Sequence, residues 1–120
     1  MGTFFVEVVL AHPQRPTSGE PFKLLVETGS TYTWVPDAFL KERLGVAPTT
    51  SRRVLTIEGK SFDRPAAWVL VTLEGEAVYT LCLFAEPGEL AVLGALTLEE
   101  RGLVVDPTRR HLVPATLYGA

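Results

Sequence analysis

Apolar and polar positions alternate along most of this chain, and the alternation predicts strands. Over Thr3–Ala11, Phe4, Val6, Val8 and Leu10 alternate with Thr3, Phe5, Glu7 and Val9. Both sets are mostly apolar, which predicts a strand covered on both faces or lying at an interface. His12–Glu20, punctuated by prolines and a glycine, reads as a loop. Pro21–Thr28 predicts a second strand, and Thr31–Val35, rich in β-branched and aromatic residues, a third. Pro36–Gly45 reads as a short helix: proline suits the first turn, Asp37 comes early, Lys41 and Arg43 come late, and Gly45 can end it. Arg52–Glu58 alternates again, Glu58-Gly59-Lys60 predicts a hairpin tip, and the chain returns from Phe62. Pro65–Leu73 and Ala77–Phe84 predict two strands joined by a tight turn at Glu74-Gly75-Glu76. After a loop at Ala85–Glu89, Leu90–Gly94 reads as a short buried strand and Ala95–Arg101 as a short helix stopped by Gly102. Leu103–Asp106 and His111–Pro114 predict two last strands around a turn at Pro107–Arg110. Many short strands with two brief helices predict an all-β, closed and mostly antiparallel barrel, as one domain over residues 1–120.

Composition narrows the chemistry. The chain has 120 residues, 47% hydrophobic and 21% charged, a globular balance with enough length for one core. Its formal net charge of −3 offers no basic face, so nucleic acid is not the expected partner. The single cysteine, Cys82, rules out an internal disulfide and a cysteine metal cluster, and its apolar neighbours predict a buried small hydrophobe. Met1–Phe5 lacks the basic start of a signal peptide, and no apolar run nears the roughly 20 residues that span a bilayer. A soluble cytoplasmic chain without membrane contact is expected.

The stretch that invites chemistry is Leu24–Ser30. An apolar strand runs into Glu27, followed by Thr28, Gly29 and Ser30. A carboxylate at the end of a buried strand is costly unless it is satisfied. Thr28 and Ser30 supply hydroxyls, and Gly29 allows close backbone approach.

This stretch resembles the active-site loop of the retropepsin-like aspartic proteases, with Glu27 where the family has Asp. Three more features are similar in the same order: Trp34-Val35-Pro36 leading into a short helix, the hairpin at Glu58-Gly59-Lys60, and Val92-Leu93-Gly94 before a helix. The tail from Gly102 to Pro114 is similar to bacterial single-lobe members.

The resemblance implies peptide-bond hydrolysis by two carboxylates that share a proton and hold a water. One chain carries one such loop, so it implies a two-fold homodimer with the site on the axis. Glu27, Thr28, Gly29 and Ser30 would form the catalytic loop, Thr28 bonding across the dimer and Ser30 holding the outer carboxylate oxygen. Glu58, Gly59 and Lys60 would close as a flap over an extended polypeptide, with Leu93 and Gly94 beside it. No cofactor or metal is implied. Phe4, Phe5, Val6 and residues 112–117 would either join the partner's sheet or close the monomer's own barrel.

Glutamate sets the carboxylate out by one C–C bond, about 1.5 Å. Reduced activity is therefore expected, and the alternative is a non-catalytic dimeric peptide-binding or structural module on the same fold. Asp37, Asp63 and Asp106 read as helix-start and turn acids. His12 and His111 form no pattern with carboxylates, and no Gly-x-Ser-x-Gly elbow or phosphate-cradling glycine loop occurs. Arg52-Arg53 and Arg109-Arg110 read as solvated turn charges, Trp34 and Trp68 as core or pocket wall.

Overall fold

A computed structural model of the chain describes residues 3–116 and 119. It is mostly β. The strands are β1 (Phe5–Ala11), β2 (Glu20–Val26), β3 (Thr33–Pro36), β4 (Thr50–Leu55), β5 (Ser61–Leu73), β6 (Glu76–Ala85), β7 (Val92–Leu93), β8 (Leu103–Asp106) and β9 (His111–Pro114). One α-helix, α1 (Ala95–Arg101), follows β7, and a single π-helical turn covers Phe39–Arg43.

Local chemistry makes the hairpins. β1 and β2 pair antiparallel from Phe5↔Leu25 to Leu10↔Glu20. β5 and β6 pair from Ala66↔Leu83 to Leu73↔Glu76. The two residues between them, Glu74 and Gly75, have φ of 53° and 81°, the double left-handed turn that matches strand twist. Arg101 pins this turn from α1, its Nε donating to the Leu73 carbonyl at 2.7 Å.

The long-range order is less local. Two-residue β7 lies between β2 and β3, parallel to β2 (Leu25↔Val92, Val26↔Leu93) and antiparallel to β3 (Trp34↔Val92). β3 runs parallel to β6, and β6 continues to β5 and then β4 at the edge. β1 also pairs with β5 through Val9↔Thr72, Leu10↔Val71 and Ala11↔Leu70, so the hydrogen-bonded order returns to its first strand. β8 and β9 form a separate hairpin.

Alternation sends Val8, Leu10, Leu24, Val26, Val69, Val71 and Phe84 into one core, closed by Leu40, Leu98, Leu103 and Leu112. Cys82 is fully buried in it, and burial pushes its thiol well above the usual range. A second, smaller cluster lies on the opposite sheet face: Ala66, Leu81 and Leu83, with Tyr32, Trp34 and Val54 packed against it. No helix among the described residues is long and apolar enough to cross a membrane.

Several expectations need correction. β1 is not covered on both faces: Val8, Leu10 and Ala11 are buried, but Phe5 is 61% exposed and Val9 is exposed too. Pro36 closes β3 instead of opening a helix; the expected short helix is present from Asp37 to Arg43, but its last five residues take the π hydrogen-bond step. Gly45 does stop it, at φ 68° just after the C-cap Leu44, letting the Val46 amide reach the Leu40 carbonyl at 2.8 Å. Pro65 sits inside β5, whose 13 residues run unbroken because a fixed φ near −65° is compatible with an extended chain. Arg52 and Arg53 lie on β4, not in a turn. Leu90 and Ala91 stay in the loop before β7, and Leu117 lies outside the described residues.

The loop after β6 is held to β5 by charge. Arg64 donates from Nε to Glu89 Oε1 at 3.3 Å, and its Nη2 pairs with Glu89 Oε2. The Glu86 amide donates to Glu89 Oε1 at 2.8 Å. The Arg64 hydrogen bond, before any other cause, holds the Glu89 carboxyl below its usual range. A depressed folded pKa adds stability above the unfolded value of about 4.3, lost as pH falls through the folded one. Glu89→Gln should therefore lower stability by about 0.5–1 kcal/mol near neutrality, the scale of a solvated pair. In urea titrations the difference from the parent should shrink as pH falls below the usual carboxylate range; a constant difference would reject the assignment.

Candidate active site

β2 delivers Glu27. Leu24 and Val26 anchor the strand in the core, and the next residue leaves the ladder. The Glu27 amide donates to the Leu93 carbonyl at 3.0 Å, a last tie to β7. The chain then turns: the Ser30 amide donates to the Glu27 carbonyl at 3.1 Å, and the Gly29 amide to Glu27 Oε1 at 3.1 Å. Glu27 thus has one carboxylate oxygen held inside its own loop. It is half-buried, and Thr28 and Gly29 are exposed. Ser30 Oγ donates to the Tyr32 carbonyl at 2.8 Å, which spends its hydroxyl on the loop and not on the carboxylate.

The loop and α1 complete each other. A helix start leaves free amides, and Gly94 at the N-cap has no side chain to satisfy them. The loop does so instead: Ala95 N–H donates to the Ser30 carbonyl at 2.8 Å and Leu96 N–H to the Thr31 carbonyl at 3.0 Å. Leu93 and Gly94 are therefore in direct contact with the Glu27 loop. A Cβ on Gly94 would fall 2.2 Å from the Tyr32 carbonyl oxygen and 2.9 Å from that of Ser30.

Three buried threonines lock this junction. The Gly94 amide donates to Thr33 Oγ1 at 3.0 Å, Thr33 Oγ1 lies 2.6 Å from Thr97 Oγ1, and Thr97 Oγ1 lies 2.7 Å from Thr80 Oγ1. β3, β6, α1 and the end of β7 meet in one fully buried polar chain. None of the three threonines is conspicuous in the sequence, because threonine is a common strand residue. The available signal is that Thr33 alternates with the core residue Val35. Thr33→Val would leave the Gly94 amide without its partner, while the Thr97 hydroxyl keeps Thr80. At about 1–3 kcal/mol for one unsatisfied buried group it should cost roughly that much, read as a shift in the denaturant midpoint. Thr33→Ser should cost less than half as much, and equal costs would reject the hydrogen-bond account.

Glu58, Gly59 and Lys60 form the tip of the β4–β5 hairpin and are all exposed. Gly59 has φ 86°. Thr56 closes the tip: its carbonyl accepts from the Gly59 amide at 3.0 Å and its hydroxyl from the Lys60 amide at 3.1 Å. Near the tip end of β4, Val54 packs on the Ala66, Leu81 and Leu83 cluster, against which Tyr32 and Trp34 also pack. Leu55 and Ile57 near the tip, not singled out from sequence, hold their side chains in solvent.

The other acids are engaged elsewhere. Asp37 pairs with Lys41 at 3.0 Å, and Asp63 with Arg53 at 2.9 Å. Asp106 Oδ1 accepts from the amides of Thr108 and Arg109 at 3.0 and 3.2 Å. Among the described residues no cluster of three or more His, Cys, Asp or Glu is placed to hold a metal ion. No protein-family model matches the chain, and no curated protein matches it.

Proposed function

We propose that this chain is a retropepsin-like aspartic peptidase that works as a two-fold homodimer and hydrolyses an extended polypeptide beneath its Gly59 hairpins. The observation that carries this reading is the anchoring of Glu27. Its amide is tied to Leu93, its loop carbonyls cap α1, and its carboxylate stays half-open to solvent. An acid on a rigid, exposed turn is what a carboxylate-pair mechanism requires.

In the dimer the two Glu27 carboxylates face each other across the axis. Like charges at close range resist double ionisation, so one proton is shared by the pair. The ionised carboxylate takes a proton from the bound water as it attacks the peptide carbonyl. The protonated one donates to the carbonyl oxygen, and the tetrahedral intermediate collapses with a proton passing to the leaving amine. Gly29 N–H fixes Oε1 of each carboxylate, leaving Oε2 for the water. Exposed Thr28 is free to bond across the dimer, and the uncovered Phe5 and Val9 of β1 favour a shared interface. The β1–β5 pairing supports a closed barrel as the scaffold. A single reduced, buried cysteine suits a cytoplasmic setting.

A second reading, a non-catalytic dimeric peptide-binding module, is favoured by the Gly29–Glu27 bond, which satisfies one carboxylate oxygen within the loop. One experiment separates them. The purified chain is incubated with unfolded casein and a peptide library from about pH 3 to 7, with and without pepstatin, beside Glu27→Ala, and its mass in solution is measured. Cleavage that pepstatin blocks and Glu27→Ala lacks supports the peptidase. Peptide binding by a dimer that cuts nothing supports the module. A chain that stays monomeric at high concentration overturns both.

A further inference from the structure

A hollow of about 160 Å³ opens between β4, β5, β6, α1 and Tyr32, above the buried Thr80. Tyr32 enters it from the end of the Glu27 loop, Arg52 from the hairpin strand β4, and Leu96 and Glu100 from α1. Trp68 and Leu81, cross-strand partners on β5 and β6, form its floor. A whole small molecule usually needs about 300–1,000 Å³, so this volume suits one side chain.

The walls are apolar and partly uncovered. Trp68 is 50% exposed, and Leu96 is exposed beside it. An indole in solvent on a sheet face is an unfilled contact. The two charges at the hollow are not spent on partners. Arg52 Nη1 donates only to Thr50 Oγ1 at 3.2 Å and the Ser51 carbonyl at 2.9 Å, whereas the neighbouring Arg53 has Asp63. Among the described residues neither Arg52 nor Glu100 forms an ion pair. Glu100 also stands in the last turn of α1, where a negative charge opposes the helix dipole, so helix stability does not explain it.

One cation and one anion on aromatic and aliphatic walls complement a neutral ring that both donates and accepts. A phenol does so: its hydroxyl accepts from guanidinium and donates to carboxylate. A lysine would gain Glu100 but face Arg52, and an acid would gain Arg52 but face Glu100, whereas a phenol uses both. We propose that this hollow is a specificity pocket for an aromatic side chain, tyrosine above all, of the polypeptide held between the Glu27 loop and the Gly59 hairpin. The proposal rests on the peptide reading given above and names the residue type it selects.

Two measurements on the full chain test it. The first follows the Trp68 indole N–H signal by NMR as N-acetyl-tyrosinamide is added, with the lysine and glutamate amides as controls. A saturable shift with the tyrosine amide alone is expected. The second compares peptides that differ at one scanned position (Tyr, Phe, Lys, Glu or Ala), by cleavage or, in Glu27→Ala, by binding. Tyrosine at one fixed position should be favoured about tenfold or more over alanine. Trp68→Ala and Leu96→Ala should each flatten that preference, and Arg52→Met should bring tyrosine down to phenylalanine. Absence of the NMR shift, or a tyrosine preference unchanged in both Trp68→Ala and Leu96→Ala, overturns the pocket while cleavage or binding keeps the peptide reading. A tyrosine-selective shift in a chain that neither cuts nor binds any peptide overturns the peptide reading and the proposed occupant with it.

Discussion

Gly94→Ala should be the most destabilising alanine substitution among the described glycines, at about 3 kcal/mol or more. The backbone angles at Gly94, φ −94° and ψ 176°, are open to alanine, so the cost is not conformational. It is steric. The added Cβ would stand 2.2 Å from the Tyr32 carbonyl oxygen, 2.5 Å from the Tyr32 carbonyl carbon and 2.9 Å from the Ser30 oxygen. All three are backbone atoms, so no side chain can swing aside. Relief requires β7 to move off β3 or the Glu27 loop to move off α1. Either motion strains the Gly94–Thr33 bond and the Ala95–Ser30 bond together. Overpacking a tight site costs about 1–3 kcal/mol where side chains can yield; here they cannot, so the upper end is the floor. For a domain of this size that is a fall in Tm on the order of 10 °C. Gly59→Ala makes the contrast. Gly59 has φ 86° with nothing near its missing Cβ, so only the left-handed strain is at stake, about 1 kcal/mol. Calorimetry on both variants checks the argument. A Gly94→Ala loss no larger than that of Gly59→Ala would mean that the loop and β7 are not packed as described.

How much of this junction is legible in the sequence depends on the range of the interactions. The bounds of α1, Ala95–Arg101, are legible because glycines bracket it, and Gly102 takes φ 72°. The Glu74-Gly75 turn and β8–β9 were legible for the same reason, being closed by neighbours in sequence. The place of β7 was not. A two-residue strand has no period to read, and its slot between β2 and β3 is set by pairing partners some 60 residues away. The short helix after Pro36 is legible, but its π step at Phe39–Arg43 is not, because caps and charges mark ends without fixing the hydrogen-bond step. Within the candidate site, Glu27–Ser30 and Leu93-Gly94 were named from motif alone, and they are in contact. The threonine chain is not legible in the sequence, and of the hollow only Trp68 is, as core or pocket wall. Each gathers residues from three or four elements, and none of those residues looks out of place where it stands in the chain.

Glu27→Asp should raise the rate of peptide cleavage by about 100-fold with little change in KM. The loop is already shaped for the shorter acid. A side-chain oxygen accepting the amide two residues on is the turn that aspartate forms by itself, and Glu27 makes that bond to Gly29 at 3.1 Å with one methylene more. Glutamate reaches Gly29 by folding back, and in the proposed dimer its extra torsion would have to be frozen in each protomer before both carboxylates could hold one water. A misplacement of order 1 Å at the reacting atoms costs about two powers of ten in rate. Removing the methylene moves the carboxylates toward the backbone by about 1.5 Å and leaves the rest of the groove alone. If the proposed peptide binding runs through the hairpin, it should therefore be unchanged, and the gain should appear in kcat. Stability should shift by less than about 1 kcal/mol, since the Gly29 bond is kept. Steady-state kinetics on one peptide give the answer. An aspartate variant slower than the parent, with its fold intact, would mean that the loop backbone is set for the longer reach and that glutamate is the working acid here. A variant that cuts rapidly where the parent is silent would mean a complete scaffold held back by a single methylene.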